Sequence, residues 1–357
     1  MIETRSSRII LKKCAFCSYC NVICPTGSEP FALIREIQLK RIRKKGVRSL
    51  GLITEETPNI MTFGLEIDTE KKLQGLKKYL NPPKSEAMFY LGCGIPYAFP
   101  DLTKTKLLED SPSVGGLKYC CGSYIRGFGE EEVRIKGLDL FEKFKNLGVK
   151  KLITFCPECE TMLKGVYPSI IEGYDIGGQN IIDYFIEKYH KGELEIKNKI
   201  NKRITFQDPC PWRNLNEKIY EGPRAFLEII GAEVVEMKHN KKKSLCCGAP
   251  FTLTNRNLSL GNEAAKKRVS EAEEVNADII AHICTGCLYQ LAKPALDKNI
   301  ESYYVTELAQ MAIGEKPLHN IVEASDQIYK SIYKKIKANP HLLAERYVIK
   351  NGEIKRI

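Results

Sequence analysis

At 357 residues, with 43% hydrophobic and 28% charged side chains, the chain is long enough to bury a core and to hold two or three domains, and its composition excludes a disordered or fibrous polymer. Its 55 Lys and Arg against 44 Asp and Glu give a net charge of +11, yet no nucleic-acid-binding module accompanies the basic residues, which concentrate at 40–45 and 238–243. The excess charge suits a solvated surface with docking patches for an acidic redox partner, or a basic pocket for an anionic substrate.

The first residues, MIETRSSRIILKK, lack the apolar stretch of a secretory signal, and no apolar run approaches the roughly 18 residues that cross a bilayer. A cytoplasmic protein with no direct membrane span, peripheral only through a partner, is expected. In a reducing compartment its 14 cysteines point to metal or redox chemistry and away from a disulfide scaffold.

Residues 1–45 open with Cys14-x2-Cys17-x2-Cys20-x3-Cys24-Pro25, the bacterial ferredoxin pattern for a cubane [4Fe–4S] cluster. Thiolates two residues apart on a tight loop wrap the corners of a small cube; a zinc knot would set two CxxC pairs further apart. In two-cluster ferredoxins the fourth cysteine of such a run serves the other cluster. No second run is present here, so Cys24 is assigned to its own cluster. A helix from Phe31 to Lys45 completes a short α-helical module. Residues 46–85, with Pro58, Pro82 and Pro83, read as a linker holding a short helix around Thr69–Tyr79.

From residue 86 the chain alternates apolar runs and amphipathic stretches, the mark of an α/β fold, and the pattern occurs twice. In the first copy (86–192), strand-like AMFYL leads to Cys93, then Cys120-Cys121-Gly122, a helix from Glu130 to Leu147, strand-like KLITF, and Cys156-Pro157-Glu158-Cys159. In the second (200–314), RITFQ leads to Cys210, then Cys246-Cys247-Gly248, a helix from Gly261 to Val275, strand-like ADIIAHI, and Cys284-Thr285-Gly286-Cys287. Each closes with a short extended lead-in to a helix, GQNIIDYFIEKY and SYYVTELAQMAIG. The tail, 315–357, is charged and expected to be helical in parts.

A lone cysteine, a CysCysGly and a CxxC separated by 26 and 34 residues in one copy and by 35 and 36 in the other resemble the CCG-domain family typified by the cysteine-rich catalytic subunit of heterodisulfide reductase. FQDPC, YEGPRAFLEIIGAEVVEM and VTELAQMAIG look alike too. The ferredoxin run ahead of them resembles the fused arrangement found in the membrane-linked form of that enzyme, and the iron–sulfur subunits of glycolate oxidase and anaerobic glycerol-3-phosphate dehydrogenase. The resemblance implies two non-cubane [4Fe–4S] clusters, one on Cys93, Cys120, Cys121, Cys156 and Cys159, the other on Cys210, Cys246, Cys247, Cys284 and Cys287. Four, five and five use all 14 cysteines. Three features depart from the family pattern: a single ferredoxin run, Pro211-Trp212-Arg213 where the family commonly continues DPC with HLGR, and Ala249-Pro250-Phe251 after the second CysCysGly. Zinc in one copy is the competing occupant.

The resemblance implies an oxidoreductase from an anaerobe. Electrons from a flavoprotein, or from another iron–sulfur or cytochrome subunit, would pass through the cubane to the paired clusters. There a small disulfide of the coenzyme M–coenzyme B type of methanogens would be cleaved, each sulfur caught by an iron. The alternative is an electron-transfer subunit of a flavoprotein dehydrogenase for glycolate, lactate or glycerol phosphate. Lesser candidates are His282, two residues before Cys284, either tuning a cluster or simply buried; Arg126, Arg213 and Arg256, each for an anionic substrate group or a surface ion pair; and Trp212, walling the site or packing.

Overall fold

The two apolar runs that end in a lone cysteine each become the second strand in a four-stranded parallel sheet. The computed structural model describes residues 5–48, 51–55, 57, 59, 61–62, 69–109, 111–253 and 257–357. After a two-residue strand β1 (Val47–Arg48), the first unit contains β2 (Ala87–Gly92), β3 (Ser113–Gly115), β4 (Lys151–Thr154) and β5 (Gly177–Asn180), in the order β3-β2-β4-β5. The second contains β6 (Arg203–Phe206), β7 (Glu233–Val234), β8 (Ile279–His282) and β9 (Glu301–Tyr304), in the order β7-β6-β8-β9. Met88 to Leu91 and Ile279 to His282 are buried throughout, as parallel strands covered on both faces must be. That is why they read as unbroken apolar runs and not as alternating ones.

The duplicated order fixes where ligands gather. In each sheet the first strand lies between the second and the third, so the chain reverses direction of winding between β2 and β4, and again between β6 and β8. Loops leaving two such strands part to opposite sides and leave a crevice at their carboxyl ends. Cys93 and Cys156 follow β2 and β4, and Cys210 and Cys284 follow β6 and β8 within a few residues.

Helices cover the sheets: Glu130–Asn146 and Ile181–His190 in the first unit, Leu258–Glu274, Thr285–Leu296 and Val305–Ala312 in the second. One apolar core runs through both units, from Phe89 and Phe155 through Phe185 and Phe226 to Leu288 and Leu308. Phe185 meets Phe226 edge to face at 4.9 Å. A separate core behind the first sheet takes in Ile42 from the N-terminal helix Pro30–Lys45.

The sequence-expected elements are present within a few residues at each end, including a helix at Thr69–Leu80. The tail differs. It holds the helix Ile321–Ala338, then a hairpin of β10 (Arg346–Lys350) and β11 (Glu353–Arg356). β10 pairs antiparallel with β1, Val47 opposite Tyr347. The turn is Asn351-Gly352 with both residues at positive φ, the dipeptide most strongly associated with two-residue hairpins; that signal was in the sequence. The stretch read as linker is anchored in part, with Leu52 and Asn59 fully buried. Pro58 lies outside the described residues.

Candidate metal centre

In the first unit the chain turns out of β2 at Gly92, whose φ of +63° suits glycine. A Cβ there would stand 3.0 Å from the Cys159 sulfur, so the backbone is packed directly against a thiol. Tyr90 donates its hydroxyl to the Tyr119 carbonyl and Tyr167 donates to that of Cys121, both at 2.5 Å, and these two bonds pin the vicinal pair from either side. The five thiols are free and stand close enough to act on one another, Cys93 and Cys121 on Cys120, and Cys121 and Cys156 on Cys159. Hydrogen bonding to Cys120 and burial push Cys93 up; Cys120 is held down by its bonds from Cys121 and Cys93. Five thiols so close, three of them buried, cannot all ionise unless cations join them.

The second unit repeats this with different bracing. Gly248 has φ +95°, and a Cβ on it would collide with the Gly261 carbonyl oxygen. Cys287 donates to the Cys247 sulfur at 3.3 Å, and Cys247 is held down by hydrogen bonds from Cys246 and Cys287. Burial raises Cys210, with the charges of Cys246 and Glu158 adding to it. The loop before Cys210 is clamped by Asp208, fully buried, which takes both Nη groups of Arg224 and the Lys241 amide. Arg224 also reaches Glu236 at 2.8 and 2.9 Å.

The N-terminal cysteines lie on a loop with Phe16 and Ser18 in the left-handed region, φ +56° and +55°. Two non-glycine residues so placed cost about 1–2 kcal/mol each, and such strain collects where a ligand is to be wrapped. The Cys14 sulfur accepts from the Phe16 amide at 3.3 Å. Cys24, at the outer end, contacts the hydroxyls of Thr26 and Ser28 at 3.2 and 3.4 Å. Led by the Ser28 hydroxyl, those bonds bring it down to about 7.

The two crevices face each other. Tyr304, at the end of β9, donates its hydroxyl to the carbonyls of both Phe155 and Ile283, joining the ends of β4 and β8. Each lone-cysteine loop packs on the other unit's CxxC helix: a Cβ on Gly94 would lie 2.5 Å from Thr285 Oγ1, and Thr161 donates to the Pro211 carbonyl at 3.1 Å.

A family model described as the CCG cysteine-rich domain matches residues 88–164 and 204–292. The chain carries two CCG domains. It is 31% identical over 191 residues to the probable iron–sulfur-binding oxidoreductase FadF of Bacillus subtilis, a match covering 52% of this chain and 26% of that one, so the chain spans about a quarter of that protein's length. It is 25% identical over 322 residues to one subunit of the dihydromethanophenazine:CoB–CoM heterodisulfide reductase of Methanosarcina barkeri, covering 84% of this chain and 77% of that one. In fold it resembles a crystal structure of a hypothetical protein from Helicobacter pylori, with a TM-score of 0.50 and 15% identity over 89% of this chain and 74% of that one.

The lesser candidates divide once the CCG domains are in place. Trp212 packs: it is fully buried, stacked on Phe206, and donates its indole N–H to Glu160 at 2.9 Å. His282 is a buried strand-end histidine with Nε2 3.4 Å from Ser302 Oγ, lowered to about 3 by burial and by Arg268. Arg213 does not present its guanidinium to a substrate; backbone carbonyls occupy it. Arg126 remains near the crevice, where its charge opposes the burial that raises Glu158. Arg256 lies outside the described residues. Sequence reading missed Glu160, a fully buried carboxylate joining the two domains, and Glu158, whose Oε2 is buried without a hydrogen-bond partner beside Cys156 and Cys210.

The donor set fits iron and sulfide. It is all sulfur, which selects thiophilic metals, and five thiols per domain exceed the four that zinc takes. Among the described residues no group of three or more His, Cys, Asp or Glu side chains is disposed to hold a single ion. No helix among them is long and apolar enough to cross a membrane.

Proposed function

We propose that the chain is an iron–sulfur electron-transfer subunit that cleaves a small disulfide between its two CCG domains, drawing electrons through its N-terminal cysteines from a flavoprotein, iron–sulfur or cytochrome subunit. The observation that carries this reading is reciprocity: two complete five-thiol sets, each at a sheet's winding reversal, face each other across one junction. Bound clusters would supply one-electron storage and irons with affinity for sulfur, which opens a two-electron exchange to one-electron donors.

The chain's own residues prepare that junction. Cys14, Cys17, Cys20 and Cys24 would hold a cubane cluster; Cys93, Cys120, Cys121, Cys156 and Cys159 would hold one non-cubane cluster, and Cys210, Cys246, Cys247, Cys284 and Cys287 the second. Tyr304 fixes the separation of the two CxxC segments. Burial of Cys120, Cys121, Cys159, Cys247 and Cys287 keeps water from the thiolates. The basic composition suits a disulfide whose two halves are anionic, the coenzyme M–coenzyme B heterodisulfide being the model.

The test is anaerobic purification followed by iron, sulfide and zinc analysis and EPR with and without added thiol or heterodisulfide. About 12 irons per chain with a thiol-dependent signal is expected. The same iron without a thiol response would turn the reading to an electron-transfer subunit of a glycolate, lactate or glycerol-3-phosphate dehydrogenase. About four irons with zinc would make the CCG domains structural and end the disulfide reading.

A further inference from the structure

One guanidinium touches three of the segments that carry cysteines. Arg213 lies three residues after Cys210 and is 9% exposed. Its Nη1 donates to the Cys17 carbonyl at 2.8 Å, its Nε to the Lys242 carbonyl at 2.9 Å, and its Nη2 to the Ser244 carbonyl. The plane lies over the Tyr19 ring, 5.2 Å from its centroid. Lys242 and Ser244 lead into Cys246, and Cys17 and Tyr19 belong to the N-terminal loop. A lysine could not serve here, since only a planar fork reaches three acceptors in fixed directions.

The result of this strap is a contact between two cysteine sets. The Cys17 backbone and the 242–244 segment that leads into Cys246 are held against one another through it. The N-terminal module does touch the first domain, but through its helix: Arg35 donates to the Arg126 carbonyl at 2.8 Å. Pro96, which corresponds to Arg213 in the first domain, has no donor to offer.

We infer that Arg213 is a positioning residue that makes the second CCG domain the point where electrons from the N-terminal set arrive. This rests on the cluster assignment proposed above. One electron leaves the group on Cys14–Cys24, which is oxidised by one, and reaches the group on Cys210–Cys287, which is reduced by one; no bond breaks. A low-potential one-electron donor replenishes the first group, and dithionite takes that part in the test.

The experiment is EPR of the full-length, anaerobically purified protein during stepwise dithionite reduction, with iron counted in each sample. Wild type should show magnetic splitting of the N-terminal cluster signal. Cys284→Ser and Arg213→Ala should abolish the splitting, while Cys156→Ser should retain it. Splitting that survives in Arg213→Ala at full iron, or that is lost in Cys156→Ser and kept in Cys284→Ser, overturns the inference. Should Arg213→Ala lose iron, Arg213→Lys decides: full iron with weakened splitting supports the strap, and unchanged splitting overturns it. Wild type lacking the expected iron would instead overturn the cluster reading, so the two failures are told apart by the iron count.

Discussion

Leu91 and Asp208 stand at the same point of the two CCG domains, two residues before the lone cysteine, and both are fully buried. In the first domain the loop beyond this point turns on Gly92 and packs its backbone against a thiol. In the second the loop hangs from an ion pair, Asp208 with Arg224, extended to Glu236 and the Lys241 amide. The CxxC helices reverse the roles. The residue after the last cysteine is Glu160 in the first domain, accepting from Trp212, Asn180 and Lys164, and Leu288 in the second, inside the shared core. The helix starts differ again: Asn180 caps with Asp183 three residues on, whereas the Tyr304 amide donates to Glu307 at 2.8 Å. One arrangement of five sulfurs is thus held by charge at one point and by apolar contact at its counterpart. What duplication kept is the placing of the thiols, and the bracing was free to change.

The contrast is broken or sharpened by substitution. The largest effect is expected for Arg224→Leu, which strands a buried carboxylate: a loss of about 3–5 kcal/mol, read from the chemical denaturation midpoint. Replacing Asp208 and Arg224 together by apolar residues should recover most of it, bringing the second domain to the condition of the first; a single-variant loss under about 1 kcal/mol would show that the clamp is not what holds the loop. Next comes Glu160→Leu, which copies Leu288 into the first domain. It leaves the Trp212 indole without its acceptor and the Asn180 amide with Asp183 alone, and a loss of about 2 kcal/mol is expected, with Glu160→Gln losing less.

The smallest effect concerns Asp183, raised to about 6 by burial and by the charge of Glu160. A carboxyl whose pKa is higher in the folded state binds its proton more tightly there, so stability falls as pH rises from about 4 to 6. Asp183→Asn should therefore stabilise the protein by about 1 kcal/mol at pH 7.5, and the gain should shrink toward pH 5. A gain that is constant with pH would locate the effect elsewhere.

The strands and the cysteines were legible because they obey local rules. A parallel strand covered on both faces has to be apolar along its length, and the thiols sit where such strands stop. Helix limits such as Leu258–Glu274 against an expected start at Gly261 moved by a few residues only. Glu160 and Arg213 were not legible in their roles, and for Trp212 packing was one of two readings. Their partners lie 52, 196 and 52 residues away, and nothing in the spacing of a motif says which carbonyl or indole will stand opposite. Arg213 in particular offered an anion site or a surface ion pair, because the sequence shows its charge and hides the three carbonyls around it. The hairpin was missed for the opposite reason: its Asn-Gly turn is a local signal, while its strands, RYVIK and EIKR, are too charged to read as sheet.

That hairpin joins segments far apart in the chain. Strand β1 follows directly on the helix that carries the N-terminal module, and its neighbour β10 is made some 300 residues later. Arg346 reaches back to the Lys45 carbonyl at 3.4 Å, and the Asn351 and Gly352 amides grip Glu132 of the first domain at 2.9 Å. The helix behind the N-terminal cysteines, already held to the first domain by Ile42 and Arg35, gains a further anchor from this hairpin. The seat of the N-terminal loop is thus completed by a strand that follows both CCG domains in the chain.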